Sequence, residues 1–308
     1  MTITPHENLV IRSMNTDRAT LEVARTFRAA RVRWLLLKGR SITLDLYPDL
    51  ASRPYVDADV LVEPAGMSRA EELLEGLGYR PTPYSTRQEF EHDSPWRRED
   101  GSAIDLHRGF THIPAAASAT WEALSRDTRQ IQVAGEMIDI PGKAAAALLI
   151  ALHALHDAPR KGKSLVDLER ASEKLSFDLW QGALSLACEL GAEQNLNVAL
   201  GLTPQSKAVA DGLGLPRLSR WETSLRKGER AAMAALVDSI FRERGIKGMA
   251  SHLLLDLTRG RPEHNLHRTQ SDGRNETTAA WQLRRIGRGI KKLPLALAAW
   301  MVQRKDFR

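Results

Sequence analysis

The chain has 308 residues, 43% hydrophobic and 27% charged, with a net charge of +6; this balance excludes a disordered polyelectrolyte and leaves room for about two globular domains. Cys188 is the only cysteine, which excludes an internal disulfide partner and any cysteine-built zinc site. The start at residues 1–13 lacks the apolar core of a secretory leader, and the apolar run at 293–302 is too short to cross a bilayer, so a cytoplasmic location is expected.

Residues 17–30 place Leu21, Ala24, Phe27 and Ala30 on one helical face, with Thr16 or Asp17 as the expected N-cap. Residues 34–37 (Trp-Leu-Leu-Leu) read as a short strand buried on both faces. Lys38-Gly39 follows at its end. Gly39 allows close backbone approach to a ligand, and the next helix, 40–47, presents its N-terminus there until Pro48 stops it. A loop at 49–54 carries Arg53 just ahead of a second strand, Val56-Asp-Ala-Asp-Val-Leu-Val62.

Asp57 and Asp59 stand at alternate positions, so both project from one face with α-carbons about 7 Å apart. Two readings are open. They are the polar face of an edge strand, where such alternation is ordinary, or they are paired carboxylates that grip a divalent cation. The apolar neighbours Val56, Val60, Leu61 and Val62, and the poor strand propensity of Asp, speak for the second.

Residues 66–77 read as a helix ended by Gly78. Tyr79 opens an extended piece, and 87–92 and 102–107 read as two strands joined by a charged turn at 97–101. The second of these, Ala103-Ile-Asp-Leu-His107, again sets an acid, Asp105, between apolar residues. Residues 109–119 read as a loop and 130–140 as a hairpin around Gly135-Glu136. From Pro141 the pattern turns helical: 143–156, 165–175, 179–190, 193–200, 221–241 and 248–257. Residues 259–278 are polar and rich in breakers, as in a linker. The last 28 residues hold Arg284, Arg285, Arg288, Lys291, Lys292, Arg304, Lys305 and Arg308 against one acid, Asp306; that segment carries +7 of the overall +6 and leaves −1 for everything before it. Any argument from positive charge, for RNA or for an anionic membrane surface, is confined to this C-terminal segment, for which docking on the body as a final helix, or partial disorder, is the first reading.

A strand ending in a Gly turn, a strand with Asp-x-Asp and a later strand with a third acid resemble the nucleotidyltransferase fold of the DNA polymerase β-like superfamily. The closer resemblance is to an uncharacterised bacterial nucleotidyltransferase family, through Leu37-Lys38-Gly39, Tyr47-Pro48, Arg53, Asp57-Ala-Asp59-Val-Leu-Val62, Leu77-Gly78-Tyr79 and Asp105-Leu106-His107. It covers residues 23–110 well and the helical half, with Leu152-His153 and Asp167-Leu168, more loosely. The resemblance implies an α+β fold: a nucleotidyltransferase-type mixed sheet with flanking helices, followed by an all-helical domain. The expected division is a catalytic domain at 1–140, a helical acceptor domain at 141–258, and a linker with a basic segment at 259–308.

It further implies an enzyme that moves a nucleoside monophosphate from a nucleoside triphosphate such as ATP to an unidentified acceptor (a small molecule, a peptide or natural product, a protein or a tRNA), releasing pyrophosphate. Asp57, Asp59 and Asp105 resemble the metal-binding catalytic carboxylates of a two-ion Mg²⁺ site, with Asp105 completing the second ion's site or taking the proton of the attacking hydroxyl. Lys38, Gly39 and Arg53 resemble the phosphate-binding residues. The superfamily's usual turn serine is replaced here by Arg40, and Ser41 is the candidate substitute. His107 is expected in the site wall and His153 on the acceptor side. The pair His153 and His156 is read as packing or substrate-facing rather than as zinc ligands, for want of a third ligand nearby. The competing class is a non-catalytic nucleotide- or RNA-binding module that retains the fold.

Overall fold

The computed structural model describes residues 4–82, 93–158 and 162–226. Met1–Ser219 form one compact unit and Arg220–Arg308 a second. In the second unit the described residues form helix α10 (Arg220–Leu225). The strand expected at 87–92, the helix at 248–257, most of that at 221–241, the linker and the basic segment lie outside the described residues.

The first unit opens with α1 (Pro5–Ala29). This helix begins well upstream of the expected cap. Thr4 is its N-cap: Thr4 Oγ1 accepts from the Glu7 backbone N–H at 3.2 Å, and Glu7 Oε2 accepts from the Thr4 N–H at 2.8 Å. Thr-Pro-His-Glu is a capping box with proline at the first helical position. Thr16 and Asp17 are buried mid-helix instead. Thr16 donates to the Arg12 carbonyl, and Asp17 accepts from the Tyr55 hydroxyl.

Five strands form a mixed sheet in the order β1-β2-β5-β4-β3: β1 (Trp34–Leu36), β2 (Ala58–Val62), β3 (Arg80–Pro81), β4 (Asp93–Arg97) and β5 (Ala103–His107). β2 pairs antiparallel with β1 and parallel with β5; the remaining pairs are antiparallel. The α+β expectation is met, with a mixed sheet flanked by helices and a helical region after it.

All five residues of β2 are buried, and its alternation sorts them between two cores. Ala58, Val60 and Val62, with Ile104 and Leu106 of β5, pack beneath α1 and α3 (Met67–Gly76) and against the hairpin of β6 (Thr128–Val133) and β7 (Glu136–Pro141). Leu61 faces the other core, built on the helices. Side chains two apart share a face, so Asp59 points to the helical side, as does Asp105, its register partner across the parallel pair. Gly78, at φ +85°, closes α3: the Tyr79 N–H reaches the Leu74 carbonyl and the Gly78 N–H that of Glu75, a Schellman pattern. The two-residue turn Ala134-Gly135 has both φ angles positive, as a twisted hairpin turn requires.

The helical region is built around α5 (Lys143–Asp157), whose buried residues run nearly all round it. α6 (Lys163–Lys174), α7 (Phe177–Glu189) and α8 (Glu193–Leu200) pack on it, and α9 (Pro204–Gly212) joins α6 and α8. α4 (Ala117–Ser125) contributes Trp121 and Leu124 to the same core. α4 and α9 had no counterpart in the sequence reading; α4 begins inside the stretch read as a loop. Leu35, Leu37, Leu46 and Leu61 belong to this core together with Leu148 and Leu152 of α5, so packing is continuous across Pro141.

Candidate active site

One cavity of about 340 Å³ lies between the helical face of the sheet and α5. Lys38, Gly39, Arg53, Asp57, Asp59, Asp105, His107 and His153 all line it. Eight of the nine residues singled out from the sequence therefore meet at one place. Ser41 is not among the lining residues; it is buried and its hydroxyl donates to the Leu37 carbonyl at 2.9 Å.

The carboxylates are held by the sheet. Asp59 and Asp105 are opposite one another in adjacent parallel strands, and Asp57 stands just before β2. Asp59 is buried, and its Oδ1 receives both Lys38 Nζ at 2.7 Å and His107 Nε2 at 2.9 Å. Burial pushes its pKa up, but Lys38 and His107 more than offset this and hold it well below the usual carboxylate range. Burial also disfavours the Lys38 ammonium, yet Asp59, with smaller help from Asp57 and Asp105, leaves its pKa raised. Asp105 moves the other way: burial and the Asp59 charge push it up against the pull of Arg97, whose Nη1 lies 2.9 Å from Asp105 Oδ1.

Gly39 (φ +65°) makes the turn between β1 and α2 (Arg40–Leu46). A Cβ there would come within 3.1 Å of the Tyr55 ring. That ring is fixed from α1: Ser13 Oγ donates to the Tyr55 carbonyl and accepts its N–H, both at 2.8 Å, while the Tyr55 hydroxyl donates to Asp17. Arg53 reaches the cavity, but its Nε and Nη2 donate to Asp167 of α6 at 2.7 and 2.6 Å. Its partner is thus neither Asp49 nor Asp57, the two nearby acids. The Tyr47 hydroxyl donates to the same Asp167 at 2.8 Å. Arg53 Nη1 has no hydrogen-bond partner among the described residues.

The helical wall carries Leu149, Leu152, His153, His156 and Asp157 of α5. His153 Nε2 lies 3.6 Å from Asp157 Oδ2. Burial, reinforced by Lys38, pushes the His153 imidazole down to about 4. Phe110, after β5, lines the cavity and stacks on His107 with centroids 5.6 Å apart and planes at 17°. Arg97, Phe110 and Tyr55 were missed in the sequence, and Asp167 was noted only as part of a loosely matching motif with no role; the spacing of Phe110 from β5 was the one hint of a place near the carboxylates.

Among the described residues no three His, Cys, Asp or Glu side chains stand together as a metal site. The donor chemistry still fits a hard divalent ion, since three carboxylates face one cavity and such ions take oxygen ligands. Two of the three are met here by the chain's own cations.

Residues 6–205 match the family described as "Uncharacterised nucleotidyltransferase". The chain belongs to that family. This nucleotidyltransferase is also similar to two solved structures, each at TM-score 0.35 and 13% identity. One is the lincosamide antibiotic adenylyltransferase LnuA bound to lincomycin, covering 51% of this chain and 97% of that one. The other is an antigenic nucleotidyltransferase-like protein from Paracoccidioides brasiliensis, covering 64% and 95%. No curated protein matches the chain. No helix among the described residues is long and apolar enough to cross a membrane.

Proposed function

We propose that the cavity transfers a nucleoside monophosphate from a nucleoside triphosphate, ATP among them, to the hydroxyl of an acceptor that enters along α5, with pyrophosphate leaving. The observation that carries this reading is the gathering of Asp57, Asp59, Asp105 and Lys38 on one cavity wall, opposite a helical wall. Asp57, Asp59 and Asp105 would hold Mg²⁺, which when bound neutralises charge on the phosphate oxygens, as one ion or two. Lys38 offers a cation to the triphosphate, and Gly39 lets the backbone approach it. Arg53 supports this side through Nη1, with its remaining fork on Asp167. Asp105, whose pKa is raised where that of Asp59 is lowered, is a better proton acceptor than Asp59 and would take the acceptor's hydroxyl proton.

His153, held neutral in the α5 wall, and His107, behind Asp59, would border the acceptor. We place the enzyme in the cytoplasm. The basic segment at 281–308 is proposed as an RNA or anionic-surface contact, tested by salt-dependent RNA co-purification lost on deleting it.

The test is incubation with α-labelled nucleoside triphosphates and cell extract. Label should pass to an acceptor in the presence of Mg²⁺ and fail to do so with Asp57→Asn and Asp59→Asn. Thermal stabilisation by ATP and Mg²⁺ without any labelled acceptor would instead favour the non-catalytic binding module. No stabilisation and no transfer would overturn both.

A further inference from the structure

Asp59 is already held by a cation of the chain. Lys38 Nζ lies 2.7 Å from its Oδ1, the pair is mostly buried, and the lysine side chain keeps 20% of its surface open to the cavity. A divalent ion approaching Asp59 therefore meets an ammonium already on one oxygen of the carboxylate it would ligate. Two cations held on one buried carboxylate repel each other strongly. An incoming triphosphate changes the balance, because it offers the ammonium other anionic oxygens within the same cavity.

We propose that Lys38 is a latch on Asp59 that is exchanged rather than lost: the lysine moves to the triphosphate as the divalent ion takes its place. Metal and nucleotide are then taken up together, and free divalent ion binds poorly to the empty site. This inference rests on the nucleotidyl-transfer reading of the cavity. Linkage makes it reciprocal: whatever releases Lys38 from Asp59 favours phosphate binding, and whatever removes Lys38 favours metal binding. A lysine that only contacts phosphate predicts that its removal weakens phosphate binding without strengthening metal binding.

The probes are Mn²⁺ alone, followed by water-proton relaxation, and inorganic tripolyphosphate in excess EDTA, followed by calorimetry. Lys163 lines the same cavity, is exposed, and serves as the charge control. Lys38→Gln should bind Mn²⁺ about tenfold more tightly than wild type, and Lys163→Gln clearly less so. Equal gains in the two variants reduce the effect to general electrostatics and overturn the latch. Should Lys38→Gln fail to fold, the pair is tested from the other side. Asp59→Asn and Asp57→Asn remove the same charge from the same cavity, but only the first frees Lys38. Asp59→Asn should therefore gain about tenfold more affinity for tripolyphosphate than Asp57→Asn, and equal gains overturn the proposal. Wild-type protein that binds ATP with Mn²⁺ while the variants show no such differences rejects the latch and leaves nucleotidyl transfer standing. Wild-type protein that binds neither rejects both.

Discussion

At the scale of single residues, the site pairs charges whose environments pull their pKa values apart. His153 is the clearest case. Its folded pKa of about 4 lies below the ordinary 6.5 of an unfolded histidine. Between those values the unfolded chain binds a proton that the folded chain refuses, so folding stability falls as pH drops from about 6.5 to 4. The neighbouring groups that face His153 are Lys38, Asp59, His156 and Asp157. Thermal unfolding at pH 7 and pH 5 should show a drop in Tm that is smaller in His153→Asn; an equal drop would assign the proton uptake elsewhere. Gly39 gives a second prediction. Its backbone suits glycine alone, and a methyl group would press on Tyr55. Gly39→Ala should cost about 1–3 kcal/mol in denaturant unfolding and weaken nucleotide binding further. The types and spacings of Lys38, Gly39, Asp57, Asp59 and Asp105 were legible in the sequence, because acids in apolar strands and a glycine at a strand end are locally abnormal. Arg97 and Tyr55 were not, because an arginine on a strand and a tyrosine in a loop are ordinary until their partners are known.

Between elements, the Arg53–Asp167 pair ties the loop ahead of β2 to α6. Both side chains are almost wholly buried, at 3% and 1% exposure. Removing one partner strands a charge, so Asp167→Ala should cost about 3–5 kcal/mol. Replacing both, as Arg53→Met with Asp167→Leu, should recover much of that loss, and a double-mutant cycle by urea unfolding measures the coupling. The double variant separates stability from function: if Arg53 Nη1 serves the triphosphate, ATP affinity stays low after stability returns. Elements themselves were read unevenly. β1, β2, β5 and α5 were visible because buried strands and an apolar helix carry dense patterns. The start of α1 was not, since Ile11 and Met14 are exposed and the apolar stripe is weak there, although the Thr-Pro-His-Glu cap was present in the letters. The partner of Arg53 lies 114 residues away, a distance over which no local pattern can speak.

For the molecule as a whole, every lining residue of the cavity falls within Met1–Ser219, as does the family match. A chain ending at Ser219 should unfold in one cooperative transition and retain Mg²⁺-dependent ATP binding within about threefold of the full chain; loss of binding would show that the second unit completes the site. The parallel pairing of β2 with β5 has a further consequence, in the time of synthesis. Parallel neighbours cannot be joined by a tight turn, so Asp59 meets Asp105 only after α3, β3 and β4 have been made between them. Asp167 emerges later still, and until then the Arg53 guanidinium has no counter-charge to bury against. A nascent chain is therefore without the proposed nucleotide site through more than half of its translation, and that site then forms from pieces that are all already present. Ribosome-stalled chains should bind ATP only once α6 has cleared the exit tunnel, which makes nucleotide binding a timer for the docking of α6 in this enzyme.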